Sequence, residues 1–199
     1  MSSGSGKFVV GVDEAGRGPL AGPVAVGIIL VAEDFDLLAE FPGLNDSKKL
    51  TEKARERIFE QVINLAEEGN EIQFSVELGS AKEIDEEGIA VVIKRLVATG
   101  IEKLFPNPGD GKVWLDGSLS APVVYEQETV IGGDGKVPAI MLASVMAKVT
   151  RDRLMIELAQ TYPEYELERH KGYGTKVHME KLREHGLSDI HRRTFIHLD

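Results

Sequence analysis

The chain has 199 residues, 42% of them hydrophobic and 28% charged, with no cysteine and a net charge of −10. Disulfides and thiolate zinc sites are excluded, and no apolar run is long enough to cross a bilayer. The acidity weighs against a broadly basic nucleic-acid-binding surface, although cations held by carboxylates can reverse the field at one local site.

The first six residues, Met1-Ser2-Ser3-Gly4-Ser5-Gly6, are polar and read as a flexible tail rather than a secretory signal. Together with the missing cysteines they point to the cytoplasm. A strand is predicted over Phe8 to Val12, running into Asp13-Glu14. A glycine- and proline-rich turn, Gly16 to Pro23, leads to a second strand from Val24 to Val31. Thr51 to Glu68 has helical periodicity, with Ile58, Val62 and Leu65 on one face. Ile72 to Leu78 alternates like a strand. Ser80-Ala81-Lys82-Glu83 fits a capping box that opens a second helix, carrying Ile89, Val92, Ile93, Leu96 and Val97 and stopping at Gly100. Its Asp85-Glu86-Glu87 run reads as a solvated face.

Val113 to Leu115 is a short strand ending at Asp116-Gly117, and Val123 to Ile131 is extended up to Gly132-Gly133-Asp134-Gly135. A long helix starts near Pro138 and runs to about Tyr162. On it Ser144, Lys148 and Asp152 share one face, while Met141, Val145, Val149 and Ile156 form a separate apolar stripe. Arg151 and Arg153 read as surface charges. A last helix covers Lys176 to His185, within a C-terminal helical segment of about 163–199. The order describes one mixed α/β domain over 1–199, with no repeat or linker.

Asp13-Glu14, Asp116 and Asp134 lie at or just past predicted strand ends. In an α/β sheet such positions converge on one cleft. Four carboxylates there would repel one another without cations, and two Mg²⁺ or Mn²⁺ ions about 3.5–4 Å apart would suit phosphodiester cleavage. Taken singly, each Asp-Gly pair is more simply a turn. The loop Gly16-Arg17-Gly18-Pro19-Leu20-Ala21 formally matches a dinucleotide fingerprint. Pro19, Pro23 and the β-branched run that follows deny it the helix that motif requires. Close approach of backbone to a ligand, or a tight turn between antiparallel strands, fits better. The five histidines form no H-x-x-x-H pattern, which argues against zinc.

Gly11 to Val24 as a block resembles the N-terminal motif of bacterial ribonuclease HII. The likeness continues in order through Asn45-Asp46-Ser47-Lys48-Lys49-Leu50, Asp116-Gly117, Gly133-Asp134, Ala143 to Asp152, His170 to Thr175 and His191-Arg192-Arg193. The resemblance implies a ribonuclease H-like fold, a mixed sheet flanked by helices. It implies a metal-dependent endoribonuclease that cleaves RNA in RNA/DNA hybrids and incises 5′ of ribonucleotides in duplex DNA. Asp13, Glu14, Asp116 and Asp134 match that family's metal-binding acids, which use Mg²⁺ or Mn²⁺. Gly16, Arg17 and Gly18 match the loop that reads the ribose 2′-hydroxyl, and Tyr173 the residue at the RNA-to-DNA junction. Without the resemblance, Tyr173 would be a partly buried core tyrosine. Lys48, Lys49, Ser144 and Lys148 match phosphate contacts. A monomer is expected, and no clamp-binding tail follows His191-Arg192-Arg193. The alternatives are another nuclease on this fold, distinguished by its substrates, and a non-catalytic nucleic-acid-binding module, distinguished by a cleavage assay.

Overall fold

A computed structural model describes residues 7–69 and 72–197. The expectation of a flexible stretch over residues 1–6 falls outside them, as does the chain end at 198–199. The elements in chain order are β1 (Phe8–Ala15), β2 (Val24–Ala32), α1 (Leu37–Glu40), α2 (Glu52–Glu67), β3 (Ile72–Gly79), α3 (Ala81–Glu87) and α4 (Ile89–Leu104). They continue with β4 (Gly111–Asp116), β5 (Glu126–Val130), α5 (Pro138–Thr161), α6 (Leu167–His170) and α7 (Lys176–His185).

The strands form one mixed sheet in the order β3-β2-β1-β4-β5. β1 and β2 are antiparallel neighbours, β3 is antiparallel to β2, and β4 and β5 run parallel to β1. The long hydrophobic run of β2 is explained by its place inside the sheet, covered on both faces. Alternation along each strand divides the core in two. Val10, Val12, Val26, Ile28, Val113 and Leu115 pack toward α4. Ile29 and Val31 pack on the opposite face, toward α5 and α2. By the same alternation Asp13 and Asp116 lie on the α5 face.

Two glycines set how closely α5 lies on the sheet. A Cβ on Gly11 would strike the backbone of Ala139, and one on Gly27 would strike the carbonyl of Ala143. Bare strand backbone at these points lets the helix rest directly on β1 and β2. At the start of α2, Thr51 caps the helix by accepting from the Ala54 amide, a contact that typically contributes about 1 kcal/mol.

Several sequence expectations need correction. β1 extends through Asp13 and Glu14, because both remain paired with Gly27 and Val26 of β2. The predicted helix after Ser80 is two helices. The capping box forms as expected, but Gly88 takes φ 84°, breaks the chain direction and separates α3 from α4. α4 then passes through Gly100 to Leu104, since the absent side chain makes room for Ile28 rather than ending the helix. The extended stretch from Val123 shrinks to Glu126–Val130, and Val123 and Val124 stand exposed in a turn before it. α5 has no separate apolar stripe. From Ala139 to Ala147 it is buried all round, between the sheet and α2, and Ile156 of the supposed stripe is exposed. Arg151 is not a surface charge but fully buried, whereas Arg153 is partly exposed and pairs with Glu56 and Glu60 of α2. Asp85 is not simply solvated: its carboxylate accepts from the amides of Arg193 and Thr194 and ties the C-terminal segment to α3. The glycine-rich loop feeds β2 and not a helix, so the dinucleotide fingerprint lacks its structural context. Among the described residues, no helix is long and apolar enough to cross a membrane.

Candidate active site

The parallel pairing of β1 and β4 builds the centre of the site. Val12 is in register with Leu115, so the next residues, Asp13 near the carboxyl end of β1 and Asp116 at the end of β4, lie side by side. A turn from Gly132 to Gly135 brings the third acid. The Asp116 carboxylate accepts from the Gly133 amide at 2.6 Å and holds that turn against the end of β4. Oxygen atoms of Asp13, Asp116 and Asp134 then lie within 4.8 Å of one another. Glu14 sits next to this trio, but its carboxylate is turned toward the Arg17 guanidinium at 3.0 Å.

Asp13 is nearly buried. Burial pushes its pKa up to about 8 against a hydrogen bond from Ser144, with repulsion from Glu14 and Asp116 adding to the rise. The Lys48 ammonium reaches Asp134 Oδ2 at 2.8 Å, while most of its side chain stays exposed. Its own pKa is raised, chiefly by that hydrogen bond. A hard, all-oxygen donor set with a cationic group already drawn to it has the chemistry that suits Mg²⁺ or Mn²⁺.

These acids open onto a cleft of about 270 Å³. Its lining includes Gly16, Arg17, Gly18, Lys48, Ser144, Lys148 and Tyr173 as well as Asp13, Glu14 and Asp116. The structure therefore brings most of the sequence-predicted site residues to one place. Asp134 joins the group through its closeness to Asp13 and Asp116 and is not part of the cleft lining, and Lys49 lies outside it, with its ammonium 3.9 Å from Asp46. Ser144 lines the cleft on the same side of α5 as Lys148, as their spacing implies, and is buried there, sharing a 2.8 Å hydrogen bond with Ser47. Lys148 pairs with Asp152 at 2.8 Å, as their four-residue spacing on α5 allows. Tyr173 exposes 43% of its surface, so it is not a core tyrosine.

Sequence reasoning missed several supporting residues. Arg55 of α2 donates to the carbonyls of Ser47 and Leu50 and thereby shapes the turn that presents Lys48. Helical periodicity placed Arg55 on α2, but nothing local marked it as reaching back over its own N-terminus. His170, His178 and His191 form a buried cluster, with His170 stacked on His178. The Tyr173 carbonyl can only accept, so His178 Nδ1 donates to it at 3.0 Å. That leaves His178 Nε2 to accept from His191 Nε2 at 3.2 Å, while His191 Nδ1 accepts from the Ser188 amide. This chain of neutral imidazoles fixes the backbone at Tyr173. Burial lowers the pKa of all three, that of His191 to about 4.

Comparison with known proteins agrees with this geometry. The family model described as Ribonuclease HII matches residues 10–198. A ribonuclease HII from Endomicrobium trichonymphae is 43% identical over 188 residues, covering 94% of this chain and 84% of the relative. The crystal structure of the ribonuclease H2 from Pyrococcus horikoshii aligns with a TM-score of 0.75 at 28% identity, covering 94% of this chain and 93% of that one. The Bst ribonuclease HIII solved in complex with Mn²⁺ shares the fold, with a TM-score of 0.72 at 18% identity over 96% of this chain and 67% of its own.

Proposed function

The chain belongs to the ribonuclease HII family, and from that premise we propose that it incises duplex DNA on the 5′ side of embedded ribonucleotides and cuts the RNA strand of RNA/DNA hybrids. It is an endoribonuclease of the ribonuclease H type. The observation that carries the finer reading is the convergence of Asp13, Asp116 and Asp134 within 4.8 Å, with Asp13 and Asp116 lining the same cleft as the Gly16-Arg17-Gly18 loop. One cleft thus offers a place for divalent cations and, beside it, backbone that can approach a sugar.

Asp13, Asp116 and Asp134, with Glu14 after it releases Arg17, would hold two divalent cations, Mg²⁺ or Mn²⁺. When bound, such ions supply charge neutralisation at the scissile phosphate and make an attacking water more acidic. The chain's own groups do the rest. Lys48 and Lys148, lining the cleft, bind backbone phosphates and fix the strand. Ser144 orients Asp13. The Gly16-Arg17-Gly18 backbone contacts the ribose 2′-hydroxyl, the one group that separates RNA from DNA at a given sugar. Tyr173 offers an exposed ring for the neighbouring sugar. Water adds to phosphorus and the bond to the 3′-oxygen breaks, leaving 3′-hydroxyl and 5′-phosphate ends.

The test is cleavage of labelled duplex DNA containing one ribonucleotide, with Mg²⁺ or with chelator. Asp13→Asn and Asp116→Asn should each abolish measurable cleavage while the protein stays folded. Turnover near the wild-type rate in either variant would overturn the metal-site assignment. Failure of the wild type to cut this duplex while cutting a hybrid would overturn the embedded-ribonucleotide reading.

A further inference from the structure

Arg151 and Arg192 are fully buried, yet among the described residues neither forms an ion pair with a carboxylate. Unpaired buried charge is costly, and an apolar side chain of similar size would normally be the more stable choice. What these guanidiniums do contact is main-chain carbonyl. Arg192 donates to Gly16 at 2.7 Å, Arg17 at 3.1 Å and Gly22 at 3.0 Å. Arg151 donates to Pro23 at 2.8 Å, Ala21 at 3.1 Å and Lys171 at 3.0 Å. Together they bracket the loop between β1 and β2 and tie it to the backbone beside Tyr173. Burial lowers the Arg192 pKa to about 9, so it stays cationic at neutral pH.

The geometry of the peptide unit then has a consequence. None of the described peptide bonds is cis, and in a trans peptide the carbonyl of one residue points opposite to the N–H of the next. Drawing the Gly16 and Arg17 carbonyls inward onto Arg192 turns the amides of Arg17 and Gly18 outward. Neither amide meets an acceptor among the described residues, and both residues line the cleft that holds Asp13 and Asp116.

The two glycines of the loop differ in what they need. Gly16 has φ 88°, and a Cβ there would collide with the Arg151 guanidinium. Gly18 has no such requirement: its φ is ordinary, and a Cβ would meet nothing within 4 Å. The protein's own packing leaves Gly18 free to carry a side chain. The space beside its amide is therefore open to something that is not part of this chain.

We propose that Arg192 is a positioning residue for ribose recognition, aiming the amide N–H groups of Arg17 and Gly18 into the cleft as paired donors to a sugar hydroxyl. The proposal rests on the ribonucleotide reading above and adds to it the group that orients the loop. Arg151 is the partner that holds the far end of the same loop against the Tyr173 segment.

The experiment compares binding, with Ca²⁺ replacing Mg²⁺ to suppress cleavage, of duplex DNA containing one ribonucleotide and of the same duplex made wholly of DNA. Wild type, Arg192→Met and Arg192→Lys are measured, with melting temperatures alongside. Two hydrogen bonds of ordinary strength correspond to a preference of roughly tenfold or more for the ribonucleotide. Arg192→Met should lose most of that preference while its affinity for the all-DNA duplex changes less than about twofold. Arg192→Lys keeps a buried cation but cannot span the carbonyls of Gly16, Arg17 and Gly22 together, so its preference should be intermediate. It keeps the test valid if Arg192→Met does not fold. A parallel loss of affinity for both duplexes, or full preference retained in Arg192→Lys, would make Arg192 merely structural and overturn the proposal. If wild type itself shows no preference, the ribonucleotide reading fails, an outcome distinct from failure of the Arg192 assignment.

Discussion

Replacing Asp13 by Asn should stabilise the metal-free protein while destroying its activity. Burial pushes the Asp13 pKa from 3.8 up to about 8. At pH 7 the unfolded chain ionises this carboxyl freely. The native chain must instead retain a proton or carry an ionised carboxylate away from water. At about 1.4 kcal/mol per pH unit this penalises the native state by on the order of 4 kcal/mol. Asparagine is nearly isosteric and its side-chain oxygen can still accept from the Glu14 amide, as Asp13 does at 2.8 Å. It still buries a polar amide, so the expected gain is roughly 2–4 kcal/mol, a rise in Tm of roughly 5–12 °C for a chain of this size. The sign follows from linkage. A raised carboxyl pKa gives stability that is present below pH 3.8 and lost as pH rises through about 8. In EDTA the wild type should therefore lose stability over that window relative to Asp13→Asn. Millimolar Mg²⁺ should reverse the order, because a cation that binds only the native site stabilises wild type more than the variant. Thermal unfolding in EDTA and in Mg²⁺, across that pH range, is the assay. Equal melting temperatures in EDTA, with equal shifts on adding Mg²⁺, would refute the argument that the carboxylates await a cation.

Gly27→Ala should destabilise by about 1–3 kcal/mol or more, since its Cβ would meet α5 backbone at Ala143 and not a side chain that can move; an unchanged urea midpoint would show that α5 does not rest on the sheet there. Tyr173→Ala should slow incision at a single ribonucleotide much more than cleavage of an all-RNA strand in a hybrid, where many registers offer 2′-hydroxyls. Equal slowing on the two substrates would reduce Tyr173 to a general binding residue. In Mg²⁺, which removes the opposing contribution of Asp13, the wild type should lose stability as pH falls from 6.5 toward 4. Burial holds His191 neutral to about pH 4, so its contribution is about 1.4 kcal/mol per pH unit. His191→Gln should flatten this slope in denaturant titrations at successive pH values, and an undiminished slope would place the titration elsewhere.

The parts of this molecule that were legible in its sequence are those written in neighbouring residues. The capping box at Ser80, the proline opening α5 and the apolar–polar alternation of Ile72 to Leu78 each depend on a few consecutive positions. The acids were legible as strand-end residues, but their convergence depends on β4 lying parallel beside β1, a long-range fact. The apolar stripe assigned to α5 failed for the same reason. Periodicity assumes one buried face, whereas this helix is enclosed by the sheet and α2. Arg151 was misjudged because nothing beside it announces that its partners are the carbonyls of Ala21, Pro23 and Lys171, far away in the chain. The histidine cluster was equally hidden. His170, His178 and His191 meet because Ala21 bridges to His191 and the 170–173 turn binds Leu20, and no fixed spacing encodes that.

The net charge of −10 and a nucleic-acid substrate are compatible once the charges are located. The acidic excess is carried partly by outward-facing residues such as Glu52, Glu86 and Glu184. The cleft instead combines Arg17, Lys48, Arg55 and Lys148 with its acids. Behind the loop, Arg151 and Arg192 add two further cations whose compensation is not a counter-ion but a set of aligned peptide dipoles. Those dipoles set their oxygens on the guanidiniums, and at Arg17 and Gly18 they turn N–H groups toward the cleft. The buried charge is thereby relayed outward as hydrogen-bond donors at fixed positions. A carboxylate partner for Arg192 would remove the unpaired charge but compete for the guanidinium that orients the loop. The unpaired arginine is therefore the arrangement that leaves donors next to the carboxylates, where a ribose and its phosphate would be bound together.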